Sequence, residues 1–316
     1  MSLFSPFIVC VLALLLDRLL GEPSRWHPLV GFGCLVTAIE KQCNIHPARP
    51  WQSMLKGLAA LLIVTLPVLV VAVWLAMVLD GWWLLVAQAV VLWLAISLRG
   101  LTEHGLAVAK PLHSADLATA REQVSRIVSR QASVLDEQGV AAAATESILE
   151  NGADAVFATL FWFLLAGIPG VVLHRLINTL DAMWGYRSPR FLYFGRPAAR
   201  LDDILGWLPA RLTALTYTLL GQRKLALQCW RTQAPHWDSP NAGPVMAAGA
   251  GALNVQLGGP SPYPSGIKQR PILGGTQAAN ASSIEAALRL VRYGVWLWLG
   301  VILLVSALIF AMGLQQ

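Results

Sequence analysis

A chain of 316 residues that is 56% hydrophobic, only 13% charged and holds 13 tryptophans does not have the makeup of a soluble domain, where charged residues run at about 25%. The composition predicts an all-α fold, a polytopic integral membrane helical bundle with helical and loop segments on its cytoplasmic side. The net charge of +6 is not a nucleic-acid signature, because Lys and Arg are spread through the loops with no basic block among aromatics.

Residues 3–20 form a short first span. No basic residue precedes it and no small-x-small cleavage site follows, so the segment is expected to stay uncleaved. It closes on Asp17-Arg18-Leu19-Leu20-Gly21-Glu22-Pro23, where the acid fits a local ion pair and a site group equally well. His27 stands before Pro28 and is therefore held extended; it is a candidate ligand for substrate. Residues 21–56 carry Arg25, Lys41, Arg49 and Lys56, which assigns them to the cytoplasmic face.

Crossing a bilayer takes roughly 20 apolar residues. Residues 58–79 and 82–98 meet that requirement and form a tight hairpin through Asp80-Gly81. Trp74, Trp82, Trp83 and Trp93, with Trp296 and Trp298 near the C-terminus, suit interfacial belts. Residues 99–153 are polar and helical. Arg130, in Ser129-Arg130-Gln131, could meet a phosphate or pair with Asp136 or Glu137 on the surface.

Glu146, Glu150 and Asp154 recur at i, i+4 and i+8, a spacing that stacks three carboxylates on one helix face. They stand at the mouth of an apolar segment, where bare carboxylates repel and are costly to desolvate. A cation or cationic substrate among them relieves both costs, and Asn151 adds an amide oxygen to a donor set suited to magnesium shared with phosphates. The alternative is a solvated helix end whose acids complement the dipole.

Residues 156–180 and 205–220 are doubtful spans. The first is interrupted by Ile168-Pro169-Gly170 and carries His174, Arg175 and Asn178; the second contains Pro209 and Arg211. If both crossed, Arg187, Arg190, Arg196 and Arg200 would lie outside, against the positive-inside tendency. A re-entrant turn at Pro169-Gly170 avoids this. Asn178 and Asp181 share a face at i, i+3, and Asp202-Asp203 follows Arg200. This alternation suits arginines holding phosphate and acids holding magnesium, or an interhelical ion-pair network.

Residues 222–292 are polar. Ser239-Pro240-Asn241 reads as a helix start with Pro at the first position, where an anion can bind. The small residues at 247–252 suit close helix packing, and residues 258–275 read as an irregular Pro/Gly-rich loop. Residues 295–312 are the last span. The chain reads as one membrane domain over residues 1–316, with no internal repeat. It contains no Walker, dinucleotide or nucleophile-elbow fingerprint. Cys10, Cys34, Cys43 and Cys229 show no Cys-x-x-Cys spacing, which argues against a disulfide framework or a zinc site.

Several ordered blocks together resemble the adenosylcobinamide-phosphate synthase family, the CbiB or CobD-type membrane synthases of cobalamin assembly. The blocks are Asp17 to Pro23 with His27-Pro28, then Leu135-Asp136-Glu137, then Glu146-Ser147 with Glu150-Asn151 and Asp154. They continue through Asn178-Thr179-Leu180-Asp181-Ala182-Met183-Trp184-Gly185-Tyr186, Ala199-Arg200-Leu201-Asp202-Asp203 and Pro209-Ala210-Arg211-Leu212, and close on Ser239-Pro240-Asn241-Ala242-Gly243 and Ala250-Gly251-Ala252-Leu253. The chain departs from the pattern at Gln131, where the family reads an acid, and at Thr159, where it reads proline.

The resemblance implies a multi-pass enzyme of the bacterial inner membrane with its site facing the cytoplasm. It implies an ATP- and Mg2+-dependent ligase joining a corrinoid carboxyl to an amino alcohol or its phosphate. Under it, Glu146, Glu150, Asp154 and Asn151 are the catalytic candidates. Arg130, Asn178, Arg187, Arg200, Ser239, Asn241 and His27 are the substrate-binding ones, and Asp181, Asp202 and Asp203 the metal-holding ones. The expected partners are the corrinoid, the amino-alcohol phosphate and the lipid bilayer, then other membrane enzymes of the pathway and a second copy of the chain, with no nucleic acid. The rival class is a non-catalytic membrane sensor of the AmpE type. A transporter fits less well, because the clear spans hold no charge.

Overall fold

Helix α3 (Pro50–Val78) shows how this chain makes its long elements. Pro50 occupies its first turn, where a missing N–H costs nothing, and the helix of 29 residues is rich in Leu, Val and Ala. The computed structural model describes residues 4–23, 27–44, 49–263 and 266–313. Leu3 of the first expected span, with Arg25 and Trp26, lies outside them. The described residues form α1 (Ser5–Leu20), α2 (Pro28–Cys43), α3, α4 (Gly81–Ala95), α5 (Leu98–His113), α6 (Leu117–Ser125), α7 (Glu137–Asn151), α8 (Thr159–Trp184), α9 (Arg196–Leu220), α10 (Arg223–Gln233), α11 (Ala242–Leu253) and α12 (Ala281–Ala311). Among the described residues, four helical stretches are long and apolar enough to cross a membrane: Pro50–Val78, Gly81–His113, Glu137–Trp184 and Ala281–Ala311. The fold is all-α and helix-dominated, as the composition requires. Helix α1, at 16 residues, reaches about 24 Å at 1.5 Å per residue and is not among the four.

The backbone divides into two compact units where the sequence suggests one domain. Unit 1 is Met1–Ser97, Ala158–Gly206 and Ile302–Gln316; unit 2 is Leu98–Phe157 and Trp207–Val301. In unit 1, α1 packs on α4, and α3 and α4 pack on α8. The core joins Phe32 and Val36 of α2, Leu61 and Val64 of α3, Ile177, Leu180 and Trp184 of α8, and Phe194. Trp184 and Phe194 meet edge to face at 5.0 Å. Gly57 lets α3 pass against the Phe194 carbonyl, which would lie 1.9 Å from any Cβ there.

Helix α8 breaks at Ala166 and Gly167, the latter at φ 56°, and then runs on to Trp184. The expected break was Pro169-Gly170. The proline is its cause, but its ring and missing N–H disrupt the turn before it, and Gly167 is the residue there that tolerates positive φ.

In unit 2, α7 packs against α5, α6 and α11, and α11 against α10. Every residue of α11 from Ala242 to Ala252 is buried. The small side chains do what their pattern suggests: a Cβ on Gly251 would lie 2.8 Å from the Ala226 backbone of α10. Beyond Asn151 the helix widens into a π-helical stretch, Gly152–Ala158. The buried Tyr217 hydroxyl donates to the Leu149 carbonyl at 3.0 Å, a side chain inserted into the helical ladder.

The stretch expected to be an irregular loop forms nested hairpins instead. β1 (Gln256–Gly258) pairs with β4 (Ile272–Gly274), and inside them β2 (Ser261–Tyr263) pairs with β3 (Gly266–Lys268), both antiparallel. Pro264 and Ser265 of that stretch lie outside the described residues. Gly258 and Gly274 hold positive φ, which local propensity reads as loop.

Replacing Gly57 with alanine should destabilise unit 1 by about 1–3 kcal/mol through forced backbone displacement. The effect would be read as a lowered thermal-unfolding midpoint of the detergent-solubilised protein. An unchanged midpoint would show that the α3–Phe194 approach is not a constraint.

Candidate functional site

Helix α7 starts cleanly. The Asp136 carboxylate caps it by accepting from the Gly139 N–H at 2.7 Å, and the buried small residues that follow let it sit deep in unit 2. Glu146 is carried into that interior, its side chain 4% exposed. Two guanidinium groups meet it there. Arg130 pairs with one carboxylate oxygen. Arg270 grips both, at 2.8 Å from Nη1 and 3.2 Å from Nη2. The Gly258 N–H adds a third donor at 2.9 Å.

Arg270 is itself fixed. Its Nη2 donates to Ser261 Oγ at 2.8 Å and its Nε to the Gly259 carbonyl at 3.3 Å. Its guanidinium lies over the Trp237 ring, 5.3 Å from the centroid. A cavity of about 280 Å³ opens beside this cluster, bordered by Arg130, Glu146, Glu150, Trp237, Lys268 and Arg270.

Several sequence-predicted residues meet at this cavity. Asn151 and Ser239 also border it. Ser239 Oγ accepts from the backbone N–H of Asn241 at 3.3 Å and of Ala242 at 3.1 Å, ordering the entry to α11. Asn241 acts one step away, accepting from Arg211 Nη1 at 3.1 Å, while Arg211 stacks on Trp207 at 4.3 Å.

The expected stack of three carboxylates reaches only two of them. Glu150, one turn after Glu146, is exposed at the cavity; Asp154 falls in the π-helical stretch and does not border it. The i+8 spacing presumes a continuous α-helix, and a π-helical turn shifts that register.

The remaining candidates belong to unit 1. Arg200 and Asp203 approach to 3.7 Å. Burial pushes the Asp202 carboxyl up to about 7; the Asp181 charge adds to this and a hydrogen bond from Asn178 opposes it. Asp203 is raised by burial, against the charges of Arg200 and Arg187. Among the described residues, no group of three or more His, Cys, Asp or Glu side chains is placed to hold a metal by itself. His27 accepts from the Leu29 N–H at 3.2 Å and so caps α2. Gln131 donates its backbone N–H to the Pro262 carbonyl at 3.0 Å, tying the Arg130 segment to the hairpin.

Arg270, Lys268, Trp237 and Tyr263 border the cavity without having been singled out in the sequence. One signal was available: Lys268 and Arg270 are the only charged residues between positions 256 and 279.

The family model described as CobD/Cbib protein matches residues 10–291. The chain belongs to the CobD/CbiB family. A relative from Stutzerimonas stutzeri is 57% identical over 300 residues, covering 95% of this chain and 97% of its own length. One from Chromobacterium violaceum is 54% identical, covering 94% and 96%. One from Halalkalibacterium halodurans is 35% identical, covering 96% and 98%. Each is named cobalamin biosynthesis protein CobD. No solved structure matches the chain.

An acid whose folded pKa is raised destabilises the fold as pH rises from the unfolded value, about 3.9, to the folded one, about 7 for Asp202. Over that window the unfolded chain has lost the proton and the folded chain keeps it, so stability falls with pH. Asp202→Asn should flatten this slope and raise the unfolding midpoint at pH 8 relative to wild type, with little change near pH 4. Parallel pH profiles for the two proteins would refute the assignment.

Proposed function

We propose that this membrane protein acts in cobalamin biosynthesis. It joins a carboxyl of adenosylcobyric acid to the amine of aminopropanol, or of aminopropanol phosphate, giving adenosylcobinamide or its phosphate, with ATP as co-substrate. The observation that carries the proposal is the family match across nearly the whole chain. It is supported by a cavity where buried guanidinium groups stand beside an exposed carboxylate.

The chemistry explains why such groups are needed. A carboxylate is a poor acyl donor, so one of its oxygens first takes a phosphoryl or adenylyl group from ATP, releasing ADP or diphosphate. The amine nitrogen then attacks the acyl carbon, the carbon–oxygen bond to the phosphate breaks, and the nitrogen loses a proton. Arg130, Arg270 and Lys268 are suited to holding phosphate oxygens through charge-assisted hydrogen bonds. Glu150 is suited to holding the ammonium form of the amine and then accepting its proton.

Magnesium, when bound, neutralises phosphate charge. Its ligands would be one or two protein carboxylates besides phosphates and water; Asp202 and Asp181 are the candidate pair within unit 1, where burial first, and then the Asp181 charge, makes Asp202 costly to ionise. The site is taken to face the cytoplasm of the bacterial inner membrane, where the arginine-bearing loops are expected.

The test is growth of a cobalamin-requiring host that lacks its own synthase and is fed cobyric acid. The wild-type chain should restore growth, and Glu150→Ala should lower it by a factor of roughly 100 or more in amide-forming rate if it is the general base. No growth with wild type present in the membrane would favour a non-catalytic sensor of the AmpE type.

A further inference from the structure

The charge balance around the cavity differs between its buried wall and its rim. Of the ionised side chains on the wall, Arg130 is 9% exposed, Arg270 7% and Glu146 4%. Two buried positive charges thus face one negative. The other charged residues bordering the cavity, Glu150, Asp238 and Lys268, are exposed, and Lys268 pairs with Asp238 at 2.6 Å. A buried excess of charge is costly, and an anion in the cavity offsets it.

The hydrogen bonds point the same way. A guanidinium has five N–H groups. Among the described residues Arg130 gives one bond, to Glu146, and the side chain borders the cavity. Arg270 is held on three sides, by Glu146, by Ser261 with Gly259, and by Trp237. Its plane is therefore set before any ligand arrives. At about 280 Å³ the cavity falls below the ~300–1,000 Å³ of sites for whole drug-sized ligands, a size for the phosphate-bearing end of a molecule.

We propose that this cavity is a phosphoryl-anion subsite, with Arg130 and Arg270 as its ligand-facing groups. Glu146 is a positioning residue that aims the two guanidinium groups and does not itself touch the substrate. The proposal rests on the reading of the protein as a phosphate-using amide synthase and names the part of that reaction this cavity serves. A phosphoanhydride of the nucleotide and the phosphate ester of the amino alcohol present the same oxygens, so either could be the source.

The experiment is equilibrium binding of 32P-labelled pyrophosphate to the purified full-length protein in nanodiscs, with competition by unlabelled ATP or aminopropanol phosphate. Wild type should bind pyrophosphate, and Arg270→Lys, which keeps the charge and loses the fork, should bind about tenfold more weakly. Glu146→Gln distinguishes the two roles of the carboxylate by sign. If Glu146 merely opposes the anion's charge, the folded variant binds more tightly; if it aims the guanidinium groups, the folded variant binds about tenfold more weakly.

Should Glu146→Gln fail to fold, Arg130→Lys and Arg270→Lys decide, each expected to weaken binding. Competition by ATP alone would assign the subsite to the nucleotide, and competition by aminopropanol phosphate alone to the amine substrate. No pyrophosphate binding by wild type, or Arg270→Lys within twofold of it, would overturn the subsite. Tighter binding by Glu146→Gln would overturn the positioning role. The readout needs no turnover: binding without growth in the complementation test would refute the synthase reading alone, and growth without binding would refute this proposal alone.

Discussion

Unit 2 is organised by one buried carboxylate. Glu146 of α7 draws together Arg130, from the segment before that helix, and Arg270 and Gly258, from the nested hairpins. The hairpins lie far along the chain from α7, and the backbone bond from Gln131 to Pro262 and the Gln233 side-chain bonds to Gly274 register them together with this carboxylate. The β1–β4 and β2–β3 ladders are three residues each, and an isolated two-stranded hairpin is marginal in water. Ions taken out of water lose several kcal/mol of solvation each, and the loss is recovered only where geometry and hydrogen bonding are complete. Removing one member of such a cluster costs about 3–5 kcal/mol because the others remain buried. The arrangement is therefore close to all-or-none, and the same contacts that locate the hairpin build the cavity wall.

Around that cluster the backbone is allowed close approaches by small residues. Helix α11 is buried along its length because it offers little beyond Ala, Gly and a few larger residues, so α10 can lie against its backbone. Gly152, where the π-helical stretch begins, leaves room for the Tyr217 hydroxyl; a Cβ there would stand 2.9 Å from it. The tyrosine bond to Leu149 and the widened turn belong to one local solution, in which the helix yields a carbonyl to a side chain.

The long apolar helices face a different solvent. Leu62, Ile63, Leu66, Val70 and Val71 of α3 are exposed large aliphatics on a helix of 29 residues. Contiguous apolar exposure on that scale marks a membrane-contacting surface. Glu40 accepts from Arg190 at 2.9 and 2.7 Å and from Asn44 at 2.9 Å. Its carboxyl, although burial pushes it up, is held below the ordinary range by those bonds. Among the described residues no cationic group offsets the burial that raises Asp202.

The sequence by itself determined the class of the protein. Low charge, long apolar runs and Pro at helix starts depend on local composition and period, and these led to an all-α membrane fold and to Glu146, Glu150, Arg130 and Ser239 as residues of interest. Ordered motif blocks likewise carried the family, since they need no geometry. Tertiary structure alone decided what those residues do. Two acids one turn apart look equivalent in sequence, yet Glu146 is enclosed by arginines and Glu150 is exposed, because burial depends on what packs over the helix. Arg270 lay in a stretch that propensity reads as loop, and its partner is 124 residues away. Asp154 left the expected face because Tyr217, a residue distant in sequence, enters the helix at Leu149. Each of these outcomes is set by a contact between segments that no local window contains.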